Sequence, residues 1–195
     1  MVSHAAPTPT SHDLPNLPNL PDLPSIPPEP ARMNALPSAI VDVLRAHHVL
    51  SLSVCSQDVP WAANAFFAFD EDTASFALLG HLDTQHARML LANCHVAGTV
   101  AGQPAAVNEI VGVQFYGLAR VVEDETERRA GLALYHARFP FAQGMPAPLW
   151  RIHLLRLKLT DNRTTFGSKT TWERHAGDAG AAFNSSAQPS GPHSR

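Results

Sequence analysis

Cysteine is nearly missing from this chain: there are two, Cys55 and Cys94, far apart and with no CxxC spacing. That count supplies no disulfide framework and no clustered thiolate metal site. With no basic, apolar export signal at the start, both are expected as reduced, buried thiols of a cytoplasmic protein. Positive charge is not concentrated anywhere. The net charge is −3, and no Lys/Arg cluster occurs, which excludes the electrostatic footprint of a nucleic-acid binder. No apolar run approaches the roughly 20 residues of a membrane-spanning helix, so no membrane partner is expected. Catalytic motifs are missing too: there is no Gly-rich phosphate loop, no HExxH and no GxSxG. Eleven histidines are present but scattered. The adjacent His47 and His48 end a helix, where successive side chains diverge by about 100° and cannot share a metal.

Glycine does not occur before Gly80, while ten of the 17 prolines fall in the first 37 residues. Residues 1–33 contain "LPNLPNLPDLPSIPPEP", a Leu/Ile-Pro-polar repeat of period three. Proline fixes φ and removes a backbone donor, so this segment can enter neither a helix nor a sheet interior. It reads as an extended, disordered extension; the alternative is a polyproline II strip for an aromatic groove. Residues 175–195, small and polar, read as a second loose tail.

What remains, residues 34–174, has the patterning of one globular unit. Leu36, Ile40, Val41 and Leu44 are at helical spacing, with Asn34 as the expected N-cap. "VLSLSVCS" alternates as a strand does. "PWAANAFFAFD" and "ASFALLG", separated by "DEDT", predict a hairpin. "DTQHARMLLANC" reads as a short helix, "HVAGTVAG" as a strand and "QPAA" as a turn. In "VNEIVGVQFYGLARVV" the residues Val111, Val113, Phe115, Ala119 and Val121 share one face of a long strand. Gly112 and Gly117 in that strand permit bending or close backbone approach. Asp124 and Glu127 have capping-box spacing at the start of another helix. "WRIHLLRLKLTDN" is apolar at Trp150, Ile152 and Leu154 and then at Leu155, Leu157 and Leu159. That single flip of parity predicts a β-bulge near 154–155, or else a strand buried on both faces. Six strands, two or three helices and no βα repeat indicate a mainly β, antiparallel barrel with helices outside.

The chemically densest stretch is "GHLDTQHARML", residues 80–90. If Asp83 or Thr84 caps the helix that starts there, the first-turn N–H groups point back toward Gly80 and His81 and attract an anion. Thr84, Gln85 and His86 would add donors, and Arg88 lies one turn further on. The plainer reading is an exposed, capped helix, which Asp83, itself negative, supports.

The order "VPWAANAFFAFDEDTASFALLGHLDTQHARMLLANCHVAGTVAG" resembles the core of the pyridoxamine 5′-phosphate oxidase-like, FMN-binding split barrels. "IVGVQFYGLARVV", "RFPFA", "PLWRIHLLRLKLTDN" and "FGSKTTW" bring it nearest to their YhbP-like bacterial subgroup. The resemblance covers residues 36–172. It implies a six-stranded split barrel, a homodimer, and FMN in clefts between the two subunits. Thr84, Gln85 and His86 would correspond to the phosphate-holding Ser-Arg-Lys of the oxidase. Asn64 falls near its strand arginine, with Ala65 and Phe66 following toward the flavin ring. Leu79 and Gly80 would lie beside the ring or ribityl chain, and Gln114 near a glutamine that contacts FMN.

Two departures matter. Gln85 and His86 replace cations, and Asn64 carries no charge. Charge-assisted hydrogen bonds are about twice as strong as neutral ones, so FMN should bind more weakly and with a pH dependence through His86. The oxidase's substrate-phosphate residues are absent, so pyridoxamine phosphate oxidation itself is not expected. The resemblance thus implies an FMN-dependent oxidoreductase of unknown substrate. A split barrel for another planar cofactor such as haem, with His81 or His86 as axial ligand, is the alternative, followed by a cofactor-free binding or structural module.

Overall fold

The computed structural model describes residues 34–163 and 165–175. The expectations for the Leu-Pro repeat and for the C-terminal tail beyond His175 lie outside the described residues. Three helices and eight strands are described. In chain order they are α1 (Ser38–Ala46), β1 (Val49–Ser56), β2 (Val59–Phe66), β3 (Ala68–Asp70), β4 (Ser75–Leu79), α2 (Gln85–Ala92), β5 (His95–Ala101), β6 (Val111–Val121), α3 (Glu125–Arg138), β7 (Leu149–Asp161) and β8 (Ser168–Glu173). Single 3₁₀ turns at Val107–Glu109 and Pro140–Ala142 precede β6 and follow α3.

All eight strands join one antiparallel sheet in the order β2-β1-β5-β6-β7-β4-β3, with β8 added to β7. The two end strands, β2 and β3, are consecutive in the chain and separated by Phe67 alone. Phe67 is 1% exposed, and its N–H donates to the His48 carbonyl at 3.0 Å. The ends of the sheet therefore come together at one residue, with no ladder between them among the described residues. That is a mainly β, open split-barrel arrangement, in eight strands where six were expected. The apolar run 60–70 breaks at Phe67 into two strands. β8 carries one buried hydrophobic residue, Trp172, too little for an alternation signal.

The expected hairpin is confined to β3 and β4, which pair through Ala68↔Ala77 to Asp70↔Ser75. β2 pairs instead with β1, through a tight turn at Gln57 and Asp58 with φ of 51° and 62°. Two successive positive φ values match the twist of a two-residue hairpin, usually supplied by Asn-Gly or Asp-Gly. Without glycine the turn left no mark in the sequence.

The parity flip in β7 is a bulge. Tyr116 pairs with Arg156 and Gly117 with Leu154, so Leu155 is the extra residue. A Cβ on Gly117 would lie 2.4 Å from the His153 carbonyl oxygen, so the close approach there requires glycine. The carbonyls around the bulge are taken up from beyond β8: Arg174 N–H donates to Leu155 O and Arg174 Nε to Leu154 O. Both sequence readings of this strand hold, because Leu149–Leu154 is also buried on both faces.

One face of β7 enters the main core, where Trp150, Ile152, Leu154, Leu157 and Leu159 meet Phe76, Phe115 and Ile40. The other face lies under α3, where Leu149 joins Ala77, Val122, Tyr135 and Phe139. Arg151 and His153 are on this second face and are 4% and 8% exposed. Arg151 NH1 donates to Asp70 Oδ2 and to Ser75 Oγ. Glu127 of α3 accepts two bonds from Arg120 and faces Arg151 Nε at 3.3 Å. Asp124 caps α3 by accepting from Glu127 N–H, as its spacing predicts; the Glu127 carboxylate goes to the arginines and completes no capping box.

Two further expectations are corrected. Asn34 does not cap α1, whose N-cap is Pro37. Proline disfavours the α region for the residue before it, so the helix can begin only after Pro37; Asn34 instead receives the Trp172 indole N–H on its carbonyl. Cys55 is exposed and Cys94 half-buried. In β1 the even positions Leu50, Leu52 and Val54 are the buried ones, which puts Cys55 outside.

Candidate functional site

The end of β4 and the start of α2 frame a small cavity. Its walls are Leu52 of β1, Ala65 of β2, Leu78 and Leu79 of β4, Gly80, His86 and Leu90 of α2, Ala119 of β6, and Trp150 and Ile152 of β7. Six elements thus contribute, and apart from the His86 imidazole the lining side chains are apolar or, like the Trp150 indole, mostly so. The Trp150 indole N–H donates to the Gly80 carbonyl at 3.1 Å, fixing the junction where β4 ends. A Cβ on Gly80 would make only ordinary contact with Trp150, at 3.7 Å, so this glycine leaves a shallow opening above the indole. Within one chain the open-mouthed cavity has a volume of about 30 Å³. That is room for about two waters, so a planar cofactor would lie across the mouth and not inside.

Thr84 is the N-cap of α2, accepting from Ala87 N–H at 3.4 Å. Its hydroxyl donates to the His81 carbonyl at 3.0 Å and lies 3.2 Å from His86 Nε2. Burial holds His86 below the ordinary histidine pKa, so its ring is neutral near pH 7. Arg88 does not reach the cavity. It donates to the Asp83 carbonyl and, at 3.2 Å, to Gln85 Oε1. Gln85 in turn directs its amide to Met89 Sδ. The helix start therefore offers first-turn N–H groups, one hydroxyl and one neutral imidazole, while its nearest cation is occupied by local acceptors.

Of the nine residues singled out from the sequence, the fold brings Ala65, Leu79, Gly80 and His86 into the cavity wall, with Thr84 against His86. Asn64 and Phe66 flank Ala65 on β2 and, by strand alternation, point to the other face. Asn64 Oδ1 accepts from Ser51 Oγ, and Phe66 packs on Phe139 and Phe141. Gln114 is also outward, paired across the sheet with Thr99 and Lys158. Gln85 is exposed. His81 is exposed and does not line the cavity. Sequence reasoning missed Leu52, Trp150 and Ala119 as lining residues; the alternation of β1, β6 and β7 places them inward, but periodicity cannot tell which inward residues meet.

No protein-family model matches the chain. The UPF0306 protein YhbP of Escherichia coli is 43% identical over 140 residues, covering 72% of this chain and 95% of that protein. This chain belongs to the UPF0306 family. A second UPF0306 member, from Photorhabdus laumondii, is 38% identical over 67% of this chain and 91% of its own length. Among solved structures, a heme binding protein from Mycobacterium smegmatis matches with a TM-score of 0.59 at 18% identity, over 75% of this chain and 61% of that one. The heme storage protein HutZ from Vibrio cholerae matches at 0.52 and 17% identity, over 70% and 93% of the two chains. A Listeria innocua protein named as a candidate pyridoxamine 5′-phosphate oxidase matches at 0.52 and 18%, over 63% and 95%. These likenesses establish the pyridoxamine 5′-phosphate oxidase-like split-barrel fold for this UPF0306 chain. Among the described residues no helix is long and apolar enough to cross a membrane, and no group of three or more His, Cys, Asp or Glu side chains could hold a metal.

Proposed function

We propose that this UPF0306 chain is a cofactor-binding split barrel that holds FMN at the mouth of the cavity and serves as a flavin-dependent oxidoreductase. The observation that carries this reading is the junction of an apolar wall, Ala65, Leu79 and Gly80, with the capped start of α2 at Thr84 and His86. An aromatic ring suits the first, and a phosphate suits the second through unpaired N–H groups, the Thr84 hydroxyl and the His86 ring. FMN, when bound, supplies hydride transfer at its ring, so the protein's residues need only bind, orient and exclude water. Since Arg88 is turned to Asp83 and Gln85, affinity rests on neutral donors and should be modest.

The cofactor would be shared between two copies. Exposed outward-facing positions on β2, β1, β5 and the first half of β6, among them Ala62, Ser51, Ser53, Ala97, Thr99 and Gln114, carry no Asp, Glu, Lys or Arg; Arg120, further along β6, is turned to Glu127 of α3. Depletion of charge is the compositional mark of an interface core. An Ala97→Arg substitution in the middle of this face should convert a dimer into a monomer in analytical ultracentrifugation; an unchanged sedimentation coefficient would place the contact elsewhere.

Haem is the second reading, favoured by the neutral, partly buried His86 ring against an apolar wall. The visible spectrum of the purified protein after addition of FMN or haem separates the readings. A shifted, quenched flavin supports the first, a Soret band shifted from that of free haem supports the second, and no change with either defeats both. Replacing Thr84 and His86 together with Ala should abolish FMN binding while leaving the fold intact by circular dichroism.

A further inference from the structure

α3 is lightly held on the sheet. Of its 14 residues only Gly131 and Tyr135 are buried. A Cβ on Gly131 would lie 2.5 Å from Leu149 Cδ2 and 3.1 Å from Arg151 NH2, so the helix backbone rests directly on β7. Glycine there also lowers the helix's own propensity. A helix with few buried apolar groups opens locally before the sheet beneath it does. The first half of α3 stands on a polar layer instead. Glu127 accepts from Arg120 of β6 and faces Arg151 of β7, and Arg151 donates to Asp70 of β3 and Ser75 of β4. At the other end of the helix Arg138 donates to the Arg45 and His47 carbonyls. His153 lies in the polar layer, 8% exposed, and its Nε2 has no hydrogen-bond partner among the described residues. The charges that face it are Arg120 of β6, Arg151 of its own strand, Arg174 beyond β8 and Glu127 of α3. Arg174 is fixed in place, donating to the Leu154, Thr73 and Ala74 carbonyls. Three guanidiniums thus act on the ring against one carboxylate, and a proton on His153 adds a fourth cation.

We infer that His153 is an acid-sensitive latch: its protonation frees α3 from the sheet and loosens the Leu79–Gly80 wall of the cavity. The link to the cavity is short. Leu79 lines it and packs under α3 with Tyr135, Phe139 and Leu149. Gly80, the next residue, donates its N–H to the carbonyl of Pro148, in the loop that follows α3. The direction follows from the surroundings of the ring. Burial and the arginines lower its pKa to about 4 while α3 is docked, so the opened form takes up the proton first. Docking is therefore complete above about pH 6.5 and is weakened as pH falls toward 4. That acid regulates cofactor binding rests on the cavity being the cofactor site; the latch itself does not.

The test is amide hydrogen exchange of the full chain, read by NMR at pH 7 and pH 5 and corrected for the pH dependence of free amides. Residues 129–138 and Gly80 should open about twentyfold more at pH 5, given a ring pKa of 6.5 when exposed and about 4 when docked. Amides in the centre of β1, β5 and β6 should keep their protection. His153→Leu should remove the increase at both places, and His153→Gln, neutral and polar, should do the same if the leucine variant misfolds. An opening of α3 indifferent to pH, or a pH response that survives the substitution, would overturn the latch. So would an equal rise in the sheet strands, which makes the opening global. Opening of α3 with Gly80 still protected would overturn the link to the cavity. Failure of FMN to bind would count against the proposed function and leave the exchange result standing.

Discussion

Burial lowers the pKa of two histidines, His86 and His153, whose surroundings treat them differently. His86 stands at the mouth of the apolar cavity with a hydroxyl as its neighbour. His153 lies under α3, with its Nε2 unpartnered by any described group and with charges on several sides: Arg120 of β6, Arg151 of its own strand, Glu127 of α3, and Arg174 beyond β8. Burial lowers both rings, and in His153 the arginines lower it further, to about 4, against the smaller upward pull of Glu127. The lesson is about freedom. His86 faces a space where a ligand could replace its present contact at small cost. The polar layer around His153 holds α3 on the sheet and has no exchangeable partner.

The largest test of that contrast is Arg151→Ala. It leaves Asp70 without its cation in a buried layer, while Glu127 keeps Arg120, and loss of one partner of a buried pair costs about 3–5 kcal/mol. Because Asp70 keeps some solvent contact, about 3 kcal/mol is expected from urea unfolding; a loss below about 1 kcal/mol would show that the layer is not structural.

Next comes pH. The folded pKa of His153 lies below its unfolded value of 6.5, so the unfolded chain binds the proton first. Stability is therefore full above about pH 6.5 and is lost as pH falls toward 4. The full difference between 6.5 and about 4 corresponds to at most about 3.4 kcal/mol. His153→Leu should flatten this part of the profile, read as the difference between variant and parent at pH 7 and 4.5. If the two curves run parallel, folded His153 takes up its proton at the same pH as the unfolded chain and burial does not hold it down.

Smaller again are the caps: Asp124→Ala should cost about 1 kcal/mol in stability. Smallest is His86→Leu, expected to alter stability by no more than about 0.5 kcal/mol yet to weaken FMN at least about tenfold. Should His86→Leu destabilise the fold as much as Arg151→Ala does, the contrast between a ligand-facing and a structural histidine fails.

How much of this was legible in the sequence depended on whether the signal was local. The caps of α2 and α3, the inward faces of β1 and β6, and the bulge near 154–155 all leave their mark within a few residues, in side-chain chemistry or parity. Thr84 as the N-cap of α2 was legible for the same reason, as one of the two capping candidates beside Asp83. What escaped was decided across space. The Gln57–Asp58 turn takes its shape from the strands it joins, not from a glycine. β8 exists because the lower half of β7 offers it an edge. Glu127 has capping-box spacing, yet two arginines distant in sequence outcompete its own helix. The opposite facing of Asn64 and Phe66 relative to Ala65 was the exception: period two alone would have revealed it.

The extra residue in β7 has one more consequence. Before Leu155 the even-numbered side chains enter the main core; after it the odd-numbered ones do. Removing Leu155 would keep Leu154, Leu157 and Leu159 inside and Arg156 and Lys158 outside, and would cost only the local bend. Removing a residue upstream in the same strand would throw its neighbours to the wrong side, but only as far as Leu155, which could fall into line and restore the frame beyond it. The strand thus carries a spare position, and a single-residue deletion in it is a local injury and not a scrambling of the whole sheet.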